Sequence, residues 1–204
     1  MTALPTDAAP IFALVGRPGA GKGTQGRLLA ERVGVPTLST GDLLREAAET
    51  STPLGRTIER YLSRGHLVPN RVVLELLWTR LEELSTYGCG VVLDGFPRNI
   101  RQALALDHVI SPRRLDLIVE LAVRQEVATE RLLARRRSDD GLETIQRRMD
   151  AYDRTTVPMI EWFQQAGRLV RLEAHHPAEV VHRRLCEAVE SLGASNVMSP
   201  RRQQ

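Results

Sequence analysis

The stretch Ile11-Phe-Ala-Leu-Val15, followed at once by Gly16-Arg-Pro-Gly-Ala-Gly-Lys-Gly-Thr24, constrains this chain more than any other feature. Five consecutive apolar residues read as a buried strand. The run after them opens a helix from about Lys22 to Val33. A glycine-rich turn between a strand and a helix is the setting in which backbone N–H groups wrap around phosphate oxygens. Gly16, Gly19, Gly21 and Gly23, with Ala20 between them, free the backbone to turn its amides inward. The helix start adds partial positive charge. Lys22 brings a compact point charge for terminal phosphates, and Thr24 brings a hydroxyl on the metal side. The general pattern places Ser or Thr directly after the lysine, whereas here Gly23 intervenes. Lys22 is also the single lysine among 28 basic residues, the rest being arginine. That singles out position 22 as one that needs an ammonium rather than a guanidinium.

Short apolar runs recur downstream and alternate with helical stretches. Strands are expected at 35–38, 90–94, 115–121 and 168–172. Helices are expected near 42–49, 53–63, 70–85, 99–109, 124–136, 141–165 and 177–192. Ile145, Met149, Tyr152, Thr156, Met159 and Phe163 step by four and three and define one helix face. Pro158 should kink that helix or mark a joint. This alternation implies a parallel sheet covered on both faces, with ligands at the carboxyl ends of its strands. The first ten residues read as an extension, 11–192 as one domain, and 193–204 as a disordered tail.

The formal net charge is +3, and the arginines are mixed with acids along the chain. No long basic block or aromatic stacking platform supports nucleic-acid binding. No apolar run reaches the roughly 18–20 residues that span a bilayer, and residues 1–10 do not resemble a secretory signal. The expected compartment is the cytoplasm. Cys89 and Cys186 lack metal-ligand spacing and read as ordinary thiols.

Further segments share one family pattern. Leu38-Ser-Thr-Gly-Asp-Leu-Leu-Arg45, Gly65-His-Leu-Val-Pro69, Leu93-Asp-Gly-Phe-Pro-Arg98 with Gln102, and Arg131–Arg135 through Asp139-Asp140, Glu143-Thr-Ile145 and Arg148 stand in the order seen in adenylate kinases. With the glycine-rich loop, the chain resembles that branch of the nucleoside monophosphate kinases. The resemblance implies an α/β P-loop NTPase fold: a five-stranded parallel sheet with helices on both faces, a small helical NMP-binding insertion at about 39–70 and a minimal lid at about 134–142. It implies reversible phosphoryl transfer from ATP with Mg²⁺ to AMP, giving two ADP, by a monomer without nucleic-acid or membrane partners.

The resemblance also assigns roles. ATP would meet Gly19 through Thr24, Arg131, Arg135 and the backbone near His176. AMP would meet Thr40, Arg45, His66, Leu67, Val68, Gly95, Phe96, Pro97, Arg98, Gln102, Arg137 and Arg148. Lys22, Arg98, Arg135, Arg137 and Arg148 would act on the transferring phosphoryl group. Ser39 and Asp42 alone would suit a capping box, but that leaves Arg45, about one turn on, unexplained. Asp94, at a strand's carboxyl edge, would reach Mg²⁺ through water, with Thr24 nearby. Thr40 and Gln102 favour AMP, while Asn99 resembles the related UMP/CMP kinases, so a second acceptor class stays open. A non-catalytic nucleotide-binding module is the other alternative. Many relatives insert a loop between the arginines matching Arg135 and Arg137; here only Arg136 intervenes, which leaves little lid to exclude water.

Overall fold

The computed structural model describes residues 10–85, 90–111, 115, 117–135, 137 and 140–198. The expected N-terminal extension through residue 9, Cys89, and Arg136, Ser138 and Asp139 of the expected lid lie outside them. Five parallel strands form one sheet: β1 (Ile11–Val15), β2 (Thr37–Ser39), β3 (Val91–Asp94), β4 (Leu117–Ala122) and β5 (Leu169–Glu173), in the order β2-β3-β1-β4-β5. The first, third and fourth strands are apolar nearly throughout because helices cover both faces. Between these strands run α1 (Lys22–Val33), α2 (Thr40–Ala48), α3 (Pro53–Ser63), α4 (Asn70–Ser85), α5 (Ile100–Ile110), α6 (Gln125–Arg135), α7 (Leu142–Ala151) and α8 (Val157–Gln165), and α9 (Ala178–Met198) follows the last strand.

One core joins Leu77 and Leu81 of α4, Leu106 and Ile110 of α5, and Met159 and Phe163 of α8. The other joins Leu29 and Ala30 of α1 to Val181 and Leu185 of α9. A small third cluster, Ala128, Leu132, Ile145 and Met149, holds α6 against α7. The chain turns to opposite sides of β1 through β3 and β4, so a crevice opens at the carboxyl ends of these strands.

Local chemistry sets the boundaries. Gly34, with φ 70°, ends α1 and returns its N–H to the Ala30 carbonyl. Ser39 caps α2 by accepting from the Asp42 amide at 3.3 Å, so that helix begins at Thr40, earlier than the periodicity suggests. Thr52 caps α3 ahead of Pro53, and Asn99 caps α5. The long helix expected over 141–165 is split by a π-helical turn, Tyr152–Thr156. Pro158 lacks an N–H and its ring crowds the preceding turn, and the chain accommodates it with a wider turn just before. All six residues of the expected apolar face, Ile145 through Phe163, are nevertheless buried. At the C-terminus α9 continues to Met198, past the expected boundary at 192.

Candidate functional site

The loop after β1 adopts the conformation its glycines permit. Gly16, Gly19 and Gly21 have φ of 141°, 83° and 91°. A Cβ at Gly16 would lie 2.6 Å from the Leu121 carbonyl, and one at Gly19 would lie 2.3 Å from that of Ala128. Two of these glycines are therefore required by the closeness of β4 and α6 as well as by backbone angle. Nothing lies within 4 Å of the Cβ position at Gly21, which faces open space. Lys22 Nζ donates to the Gly16 and Arg17 carbonyls at 2.9 and 2.8 Å. Burial lowers its pKa to about 8; Asp94 opposes this, and Arg98 and Arg135 add to it.

A cleft of about 1000 Å³ extends from this loop across the strand ends to α2. Gly19, Gly21, Lys22, Gly23 and Thr24 line it, as do Asp94, Gly95, Pro97 and Arg98. Arg45, His66, Leu67, Arg131, Arg135, Arg137 and Arg148 line it too. Most sequence-nominated residues thus share one space. Thr40, Val68 and Gln102 border a smaller cavity beside it, together with Gly95 and Arg98.

Three nominated residues are placed differently. Ala20 is buried against the core, so only its backbone is available to a ligand. Phe96 has no exposed surface and meets Trp78 edge-on at 6.2 Å, so its side chain serves packing. His176 stacks on His175 at 4.2 Å and does not line the cleft. Its segment is joined to the site by Arg131, which donates to the Ala174 carbonyl at 2.8 Å.

The cationic groups are held in place by identifiable partners. Arg98 Nε donates to the Gly95 carbonyl at 2.8 Å, and Thr156 Oγ1 donates to the Arg98 carbonyl at 2.9 Å. Thr40 Oγ1 donates to the Gly95 carbonyl at 3.1 Å. Burial lowers the Arg98 pKa from its ordinary value; Asp94 opposes that, while Arg148 and Arg45 reinforce it. Arg45 pairs with Asp42. Although burial pushes Asp42 up, its bonds to Arg45 and Ser39 and the nearby Arg137 hold it below the usual carboxylate range.

Two anchors are not apparent from sequence. Asp140, with 1% of its side chain exposed, receives Arg135 through both oxygens at 2.8 and 2.9 Å and Arg148 at 3.3 Å. One carboxylate therefore aligns two arginines from α6 and α7. Its position in the acidic pair after the arginine run is the only signal the sequence offers. Arg17 binds Asp153 at 2.8 Å and stacks on Tyr152 at 4.9 Å, which ties the phosphate loop to the π turn. Nothing in the local pattern around Arg17 announces this long-range pair.

Such a cleft, lined by one ammonium and several guanidinia, suits two phosphorylated ligands whose phosphates meet. A family model described as adenylate kinase matches residues 14–168. The chain belongs to the adenylate kinase family. Adenylate kinase 1 of a Synechocystis species is 41% identical over 169 residues, covering 82% of this chain and 90% of the relative. Adenylate kinase of Thermobifida fusca is 39% identical over 184 residues, covering 87% and 97%. That of Corynebacterium urealyticum is 39% identical over 168 residues, covering 81% and 91%. Within this adenylate kinase family member, no helix of the described residues is long and apolar enough to cross a membrane.

Proposed function

We propose that the chain is an ATP:AMP phosphotransferase, which moves the γ-phosphoryl group of ATP reversibly to AMP and yields two ADP. The observation that carries this reading is the gathering of the glycine loop, Lys22 and the arginines Arg45, Arg98, Arg131, Arg135, Arg137 and Arg148 in one cleft.

Phosphoryl transfer asks a protein chiefly for alignment and charge neutralisation. The loop amides and Lys22 hold the donor phosphates, while Arg131 lies along the nucleoside of the donor. Arg45 and Arg98 hold the acceptor phosphate, with Thr40, Leu67, Val68 and Gln102 around its base. Arg135, Arg137 and Arg148 neutralise charge that spreads over the moving group.

No cluster of three candidate metal ligands occurs among the described residues. A single carboxylate at Asp94 and the hydroxyl of Thr24 fit an ion carried largely by phosphates and water, as Mg²⁺ is. Asp94 would hold it through water, with Thr24 beside it. Bound there, Mg²⁺ neutralises phosphate oxygens. Only Arg136 separates Arg135 from Arg137 in the sequence, so exclusion of water would rest on the approach of α6 and α7.

The test is ADP production from ATP with and without AMP. The reading expects two ADP per ATP consumed and strict dependence on AMP. ADP formed from ATP alone at the same rate, with AMP left intact, contradicts it.

A further inference from the structure

Gln102 is 3% exposed and borders the small cavity with Thr40, Val68, Gly95 and Arg98. Its side-chain amide is held at both ends. Oε1 accepts from the Arg98 backbone N–H at 2.8 Å, and Nε2 donates to Asn70 Oδ1 at 3.0 Å. A backbone N–H only donates, so the end facing Arg98 must be the oxygen. The same logic fixes Asn99. The Gln102 backbone N–H donates to Asn99 Oδ1 at 3.0 Å, so the other end of Asn99 is its NH₂ group. That group donates to Asn70 Oδ1 at 3.0 Å. Asn70 therefore presents oxygen to both neighbours, and Gln102 must present nitrogen to Asn70. Two backbone donors fix the sense of three side-chain amides.

We propose that Asn70 and Asn99 are positioning residues that select an acceptor base bearing an amino group beside a ring nitrogen, by locking Gln102 in one amide orientation. The proposal rests on the reading of AMP as acceptor. Gln102 Oε1 keeps a second lone pair and Nε2 a second hydrogen. The adenine edge answers both, with an amino donor and a ring-nitrogen acceptor. Hypoxanthine, in IMP, offers a carbonyl oxygen and a ring N–H in their place. To meet it, the amide must turn over. That sets Nε2 against the Arg98 N–H and Oε1 against Asn70 Oδ1, two like-polarity contacts in a buried site.

The network predicts opposite results for two isosteric changes. Asn70→Asp keeps an acceptor toward both neighbours and leaves the lock intact. Asn99→Asp still caps α5, since aspartate serves as well as asparagine at that position, but it removes the donor that holds the Asn70 oxygen in place. Asn70 then turns its NH₂ group toward the introduced carboxylate, and Gln102 loses its fixed partner.

The experiment measures kcat/KM for AMP and for IMP at saturating ATP in the wild type, N70D and N99D, together with KM for ATP. The AMP/IMP ratio is expected to stay within about twofold of wild type in N70D and to fall about tenfold in N99D, with KM for ATP unmoved. A wild-type ratio in N99D overturns the proposal, as does an equal collapse in both variants, which would mark a merely structural role. A wild type that uses IMP or UMP as well as AMP overturns the acceptor reading itself, and the proposal with it. A wild type that prefers AMP, with unchanged variants, overturns the proposal alone.

Discussion

Lys22 is the one lysine in a chain whose other 27 Lys/Arg positions are arginine, and its surroundings explain why an ammonium serves there. Its Nζ sits within the curl of the loop and donates to two of the loop's own carbonyls, a geometry that suits a compact head better than a planar fork. Its pKa, lowered by burial to about 8, gives a testable pH dependence. Below that value the free protein carries the ammonium; above it the charge is progressively lost. Polyphosphate favours the charged form and raises the pKa, so binding above pH 8 must draw in a proton. Calorimetry of ATP binding about half a unit above that pKa, in buffers of different ionisation enthalpy, should show net proton uptake, and Lys22→Ala should abolish it. Transfer activity in Lys22→Ala should fall about a hundred- to a thousandfold, the scale for losing one preorganised charge partner. Asp140 matters in a different way. Removing it leaves Arg135 and Arg148 facing each other without the carboxylate between them. Asp140→Ala should lower kcat about tenfold to a hundredfold while KM for ATP moves less, because the arginines act on charge that develops during transfer. Equal losses in kcat and ATP binding would count against that role.

Elements far apart in sequence meet around the acceptor side of the cleft. The end of α3 packs on α7: Thr144 Oγ1 donates to the Ser63 carbonyl at 3.4 Å and Arg147 Nη1 to the Arg64 carbonyl at 3.3 Å. Gly65, with φ 69°, lies beneath the Thr144 carbonyl, where a Cβ would come within 2.6 Å. Gly65→Ala should cost about 1–2 kcal/mol from the left-handed backbone alone and should also push α3 off α7. Thermal melting and KM for AMP check the two effects: a lower Tm and a raised KM are expected, and a variant matching wild type in both contradicts the contact's importance. The same region shows what is legible in sequence. The segment containing Gly65 stands out as a motif, yet its contact with Thr144 depends on how two helices pack, which no periodicity records. Pro158 signals a disturbance in the long helix, but only the packing of Tyr152 and Thr156 into the core makes the wider turn keep all six apolar-face residues buried. Asp94, Arg98 and the glycine loop are readable because strand ends and turns impose local rules. Asp140, Arg17 and Asn70 are not readable as anchors, since their partners are brought to them by the fold rather than by a recognisable spacing.

At the scale of the whole molecule, the parallel sheet brings the loop after β1 and the loop after β3 to one edge, and the helices between them carry the remaining cations to the same cleft. The two cores on opposite faces of the sheet hold this edge rigid, while α6 and α7 share only a small cluster of Ala128, Leu132, Ile145 and Met149. Movement on nucleotide binding is therefore expected in the arm carrying Arg135, Arg137 and Arg148 rather than in the sheet. The assignment of Arg98 to the acceptor phosphate is what separates the two nucleotide sites of the cleft. It is tested most directly by steady-state kinetics of Arg98→Ala with ATP and AMP varied independently. KM for AMP should rise about tenfold or more, in line with the loss of a charge-assisted phosphate contact, while KM for ATP stays close to wild type. A parallel rise in both, or a rise in KM for ATP alone, would contradict it.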